Sequence, residues 1–244
     1  MAAPVWKMDH DPGAELTYLA GLTLRACQVA KLAVSHAADA LGTNDAALFK
    51  VVQQCEVELD DLDRELDQKV CAALEDTSEE QRRELLACMK CMTGMERIGD
   101  LVASFASGAQ ALGRRMEPGD VQDLIRMASV LENMLADVYD AFSTRDAKRA
   151  LAVLRADAEI DRLRNLLFIR HVENPEGEPR HESIQVLFMA QALERAGDHA
   201  KNLAEEVCHF VSGHTLRHVL RAGDRSYEQM FLDWLRDQQA HKKK

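Results

Sequence analysis

Carboxylates recur along this chain in pairs four residues apart. Glu56/Asp60 and Glu96/Asp100 lie in its first half, Asp157/Asp161 and Glu194/Asp198 in its second. On a helix, a spacing of four puts both side chains on one face, about one turn apart. Like charges so placed repel, at a cost of roughly a few tenths of a kcal/mol on an isolated helix. A cation between them reverses the sign. Oxygen-only ligation suits hard ions such as Mg²⁺, Ca²⁺, Mn²⁺ and ferric iron. One acidic pair is an ordinary feature of a solvated helix face, but four pairs placed alike form a pattern. Gly99 and Gly197 sit inside the later pair of each half. A glycine within a helix costs about 1 kcal/mol relative to alanine. Its recurrence points to close helix approach or to room for a ligand.

The elements that must position these acids are visible as an internal repeat. Asp39 and Asp140, Asp45 and Asp146, Glu56 and Asp157, and Asp60 and Asp161 are each 101 positions apart, whereas Glu96-Arg97-Ile98-Gly99-Asp100 and Glu194-Arg195-Ala196-Gly197-Asp198 are 98 apart. The change from 101 to 98 places a loop between the second and third segments of each copy. Within a copy the apolar period is three to four, which is helical. A first helix carries Leu16, Leu19, Leu22, Cys27 and Val34 and ends near Gly42, read as its C-cap. A second starts after Asn44 or Asp45 and runs to about Leu74. Ser78 and Gln81 form a capping-box signature opening a third helix that ends near Leu112. Glu117-Pro118-Gly119-Asp120 marks the turn between copies. The second copy repeats the plan over 121–142, 146–172 and 182–212, with a proline-bearing loop at 173–179. The expected fold is all-α: two tandem, pseudo-symmetric three-helix bundles, 1–116 and 117–220. A short amphipathic helix and basic tail follow at 221–244.

Composition narrows the function. The 244 residues are 47% hydrophobic with only 5 prolines and 12 glycines, which favours long helices around a real core. A net charge of −11 provides no basic footprint for nucleic acid beyond Lys242, Lys243 and Lys244. It suits binding cations or meeting a basic protein surface. No apolar run approaches the roughly 20 residues of a membrane span. Residues 1–12 lack the basic start and apolar stretch of a signal peptide. These features place the chain in the cytoplasm with its 6 cysteines as thiols. Cys88 and Cys91 form a lone CxxC in a helical pattern and read as core packing.

The run Glu194-Arg195-Ala196-Gly197-Asp198-His199-Ala200-Lys201-Asn202-Leu203-Ala204-Glu205, with the shorter Glu96–Asp100 run, resembles the signature of PhoU proteins. The resemblance extends from about Glu15 to Val219 and includes the ending Gly213–His218. It implies two three-helix bundles and a non-enzymatic negative regulator of phosphate uptake and phosphate-starvation signalling. Its implied partners are a phosphate ABC transporter, through its PstB-like ATPase, and a PhoR-like sensor histidine kinase. It also implies a homodimer and surface metal ions (iron, zinc, manganese or magnesium). Carried over by position, the ligands are Glu56, Asp60, Glu96, Asp100, Asp157, Asp161, Glu194 and Asp198, with Asn202 and Glu205 as additions. The first copy has Ser104 and Ser107 where the second has Asn202 and Glu205, which predicts the weaker metal site in the first. The stretch Asp76–Arg83 departs from the proline-bearing opening common in the family, so a paralogue serving another transporter is the alternative.

Two readings of other classes compete. A ferritin-like di-metal enzyme needs a Glu-x-x-His on each of two helices. Glu206–His209 supplies one, whereas Glu178–His181 contains Pro179 and falls in a loop. His209, His214 and His218 are a conceivable zinc set. A metal-free helical adaptor would rely on Tyr227, Met230, Phe231, Trp234 and Leu235, which share one helical face. No phosphate-binding glycine loop or nucleophile elbow is present.

Overall fold

The computed structural model describes residues 12–74, 77–173 and 181–213. Among the described residues the chain forms six α-helices and no strand. They are α1 Pro12–Thr43, α2 Ala46–Ala73, α3 Glu79–Leu112, α4 Pro118–Thr144, α5 Ala147–Val172 and α6 His181–Ser212. A single 3-10 turn, Gly113–Arg115, joins the two copies. None of these helices is long and apolar enough to cross a membrane. The expected C-terminal helix, with Tyr227 to Leu235 and His214/His218, lies outside the described residues.

Local chemistry explains the boundaries. The Asp45 carboxylate accepts from the Ala47 N–H at 2.8 Å and Asp146 accepts from Lys148 at 2.9 Å, so equivalent aspartates cap α2 and α5. Ser78 and Gln81 form a reciprocal capping box opening α3. Pro118 begins α4, where its missing N–H costs nothing. Gly42 does not terminate α1. The helix runs through it to Thr43, and Asn44 takes the left-handed conformation at φ 58°. Arg145, 101 positions on, does the same at φ 53° after α4. Asparagine tolerates that region through its short polar side chain. Arg145 is held there by Glu84 at 2.7 Å and by the face of Phe210 at 5.1 Å.

Packing makes one core. α1 lies on α2 and α3, and α4 on α5 and α6. The copies join through α3 against α6 and α1 against α4. The central four helices are thus α1, α3, α4 and α6, flanked by α2 and α5. Leu19, Met92, Met95, Phe105, Leu124, Met127 and Leu131 are wholly buried in a single continuous cluster. Cys88 and Cys91 belong to it, and burial pushes the Cys88 thiol up to about 11. Burial likewise raises Cys27 and Cys208 to about 12. Thiols so raised are poor nucleophiles and poor metal ligands. Cys71 alone is exposed. A thiol reagent should therefore titrate one cysteine rapidly in the native protein and all 6 after denaturation. Rapid reaction of a second native thiol would contradict the packing of the core.

Candidate metal-binding face

The structure brings the predicted acids together in two groups. Glu56 and Asp60 on α2 meet Glu96 and Asp100 on α3. Asp157 and Asp161 on α5 meet Glu194 and Asp198 on α6. The glycines show how. A Cβ at Gly99 would lie 2.5 Å from Leu59 Cδ1, and one at Gly197 would lie 2.9 Å from Ile160 Cδ1. Leu59 and Ile160 are equivalent in the two copies, so each glycine serves close helix approach beside its acids. Gly99→Val and Gly197→Val should each cost about 1–3 kcal/mol by forcing buried side chains aside. Urea unfolding checks this, and a cost below about 0.5 kcal/mol would deny the tight seam.

The groups are electrostatically coupled. The Glu56 carboxyl is raised by partial burial, then by Asp60 and Asp100. Glu96 is raised by burial, then by Asp100, with Asp63 and Asp60 adding and Arg97 opposing. In the second copy burial raises Asp161, with Asp157 and Asp198 adding. Glu194 is raised by burial, then by Asp198, Asp161 and Asp157. Asp63 joins the first group unforeseen. Burial raises its carboxyl, and Asp67 and Asp60 add to the effect. Its signal was in the sequence, because Glu56, Asp60, Asp63 and Asp67 recur at steps of four, three and four.

The copies differ in what offsets this charge. In the first, among the described residues, the exposed Arg97 approaches, 3.4 Å from Glu96 and 3.9 Å from Asp100. In the second, Lys201 hydrogen-bonds Asp157 at 2.5 Å. Although burial opposes its charge, that bond and nearby Asp198 and Asp161 hold the ammonium above its usual range. Arg164 replaces the equivalent of Asp63 and bonds Gln191, which donates to Glu194.

The first group therefore carries more uncompensated charge than the second. Asn202 stands on the α3 side of α6. It lines a groove between α3 and α6, with Lys90, Thr93 and Arg97. Glu205 is buried beside Cys208, because its position on α6 faces inward. Glu206 is also mostly buried and ion-pairs with Lys90 at 2.7 Å, with His209 3.9 Å away. The Glu-x-x-His of α6 thus has its carboxylate engaged by Lys90.

Among the described residues no three His, Cys, Asp or Glu side chains converge as a preformed metal site. The donor set itself, carboxylate oxygens on two facing helices, fits a hard ion.

Comparison with known proteins agrees with this architecture. A family model described as the PhoU domain matches residues 23–109 and again 124–207. A phosphate-specific transport system accessory protein PhoU homolog of Caulobacter vibrioides is 31% identical over 204 residues, spanning 81% of this chain and 88% of its own. A homolog of the same description from Pseudomonas putida is 29% identical over 191 residues, spanning 76% and 75%. The crystal structure of PhoU from Pseudomonas aeruginosa aligns with a TM-score of 0.76 at 26% identity, covering 84% of this chain and 100% of that one. The phosphate transport system regulatory protein PhoU from Streptococcus pneumoniae shares the fold at 22% identity, also with a TM-score of 0.76, over 84% of this chain and 99% of its own.

Proposed function

The chain belongs to the PhoU family, and on that premise we propose that it is an accessory regulator of phosphate transport that works by contact. It restrains phosphate uptake and phosphate-starvation signalling by engaging a phosphate ABC transporter through its ATPase and a sensor histidine kinase. Metal ions on its acidic face assist those contacts. Support comes from the relatives' description as phosphate-specific transport accessory proteins. The single observation that carries the metal part is the placement of two equivalent carboxylate groups at the α2/α3 and α5/α6 seams.

Helical phase puts both groups on the same outer face. With about 100° per residue, Glu96 and Asp100 fall between Gly99, which faces α2, and Arg97, which faces α6. Glu194 and Asp198 fall between Gly197, which faces α5, and His199, which faces α3. A bound cation would neutralise carboxylates and leave open coordination positions for an oxygen of a partner. Glu56, Asp60, Glu96 and Asp100, with Asp63, would hold the first ion. Asp161, Glu194 and Asp198 would hold the second, with Asp157 once Lys201 moves off it.

Elemental analysis of untagged protein purified under mild conditions tests this, beside Asp100→Asn/Asp198→Asn and Lys201→Met. Stoichiometric metal in the wild type, lost in the double variant, is the expected result. Lys201→Met should increase occupancy of the second group, because it removes the competing ammonium. Absence of metal from the wild type after loading with iron, manganese, zinc and magnesium would sink the metal part. The acids would then be a charged docking surface. Co-purification with the transporter ATPase and the kinase tests the contact part separately.

A further inference from the structure

The arginine of each Glu-Arg-x-Gly-Asp motif lines a groove along the furrow between the two copies. α3 and α6 run antiparallel there, since a Cβ at Gly94 would meet Leu203 and one at Gly108 would meet Met189. A groove of about 360 Å³ follows this furrow, lined by Lys90, Arg97, His199, Asn202 and Glu206 among others. A second of about 470 Å³, lined in part by Ser104, Gln185 and Arg195, lies farther along the same two helices. The antiparallel register sets Gly94 level with Leu203, so Arg97 stands level with about Ala200. Arg195 stands one turn from His199 on α6. His199 is thus between the two arginines, one from each copy.

The cations here are poorly matched. Lys90 is taken by Glu206 at 2.7 Å. The contacts of Arg97 are long, at 3.4 and 3.9 Å. Arg195, His199 and Asn202 carry no hydrogen bond or ion pair among the described residues. Elsewhere Arg25, Arg126 and Arg145 each hold a carboxylate at 2.7 Å. Along the two grooves of this furrow, two guanidinium groups, an imidazole and an amide are donors without a close acceptor among the described residues.

We propose that this furrow binds a small oxyanion of the phosphoryl class, held by Arg97 from the first copy and by Arg195, His199 and Asn202 from the second. Guanidinium groups present paired N–H donors that match two oxygens of such an anion. The imidazole and the amide of Asn202 add single donors on its other side. Glu206 is engaged by Lys90, and Glu96 and Asp100 hold Arg97 only at 3.4 and 3.9 Å, contacts that an anion would displace. The inference does not rest on the metal reading. The acid groups flank the furrow, so cations on them strengthen anion binding, and the anion strengthens cation binding by the same factor.

The test is isothermal titration of the full chain with inorganic phosphate and with phenyl phosphate, once in chelator and once with Mg²⁺. Arg97→Gln and Arg195→Gln are compared with Arg162→Gln, which removes an arginine that pairs with Glu159 outside the furrow. Saturable binding at one site per chain is expected, weakened about tenfold or more by either furrow variant and unchanged by Arg162→Gln. Stronger binding of phosphate would assign a free anion, and stronger binding of the ester a phosphoryl group carried by a larger molecule. Binding that survives both furrow variants overturns the site, as does no saturable binding in either condition. Arg195 is exposed and has no hydrogen bond or ion pair among the described residues, so its variant keeps the fold, which circular dichroism verifies.

Discussion

A hard cation added to metal-free protein at about a hundred times its Kd should stabilise the fold by about 2.7 kcal/mol. For a chain of this size that is a rise of roughly 5–10 °C in Tm. Asp60→Asn/Asp100→Asn should raise the Tm of the metal-free protein and remove most of the gain. Both effects follow from one cause. Burial and neighbouring acids raise the carboxyls of Glu56, Asp63 and Glu96. Just above the ordinary carboxylate range the native state therefore binds more protons than the unfolded chain. Stability of the metal-free protein falls as pH rises through that window, because the slope follows the protons bound by the unfolded state less those bound by the native. A cation displaces these protons, so its stabilising effect grows over the same interval. Melting curves in chelator and in Mg²⁺ or Mn²⁺, at pH 5 and pH 7.5, measure all of this. Equal metal shifts in wild type and variant would remove the first group as the site.

How far the sequence could be read depended on whether a feature is local. The caps at Asp45, Ser78 and Asp146 are chemistry between residues two or three apart, and each stands where its residue type predicts. Gly42 misled because a glycine near a helix end is a common terminator, yet Asn44 two residues later meets the same need. The pairing of Glu56/Asp60 with Glu96/Asp100 was legible through the repeat and the steps of four. What offsets those acids was not. Lys201 reaches Asp157 across 44 positions of sequence, and only the docking of α6 on α5 fixes that contact. The resemblance placed Asn202 with the second group. The seam between copies, which turns that residue toward α3, has no sequence period of its own.

The duplication explains the asymmetry physically. Both copies kept the glycine that lets α3 and α6 approach their neighbours, because Leu59 and Ile160 leave no room for a Cβ. Positions around that contact were free to diverge. The stripe on α2 continues as Asp63 and Asp67, whereas the same stripe on α5 continues as Arg164 and the exposed Phe168. One copy thus presents a strongly acidic face and the other a partly neutralised, more apolar one.

Arg170→Met should cost about 2–3 kcal/mol, or roughly 5–10 °C in Tm. Asp120, in the first turn of α4, is only 2% exposed. Arg170 Nη1 donates to its Oδ1 at 2.7 Å and Nη2 to Asp123 at 2.7 Å. His171 Nε2 lies 3.0 Å from its other oxygen. The hydrogen bond to Asp120 raises Arg170 further, against the effect of burial. Removing the guanidinium strands a buried carboxylate, the costly way to break a pair. The figure stays below that of a fully buried pair because Arg170 is itself 43% exposed, where solvent screens it. In the first copy the position equivalent to Asp120 is Leu19, buried at 1% exposure. An apolar side chain therefore suits the buried position, although Lys69 stands where the second copy has Arg170, and Asp120→Leu/Arg170→Met should recover most of the loss. Urea unfolding of wild type, single and double variants gives the coupling directly. A single-variant cost under about 0.5 kcal/mol would mean that His171 and the helix N-terminus alone satisfy Asp120.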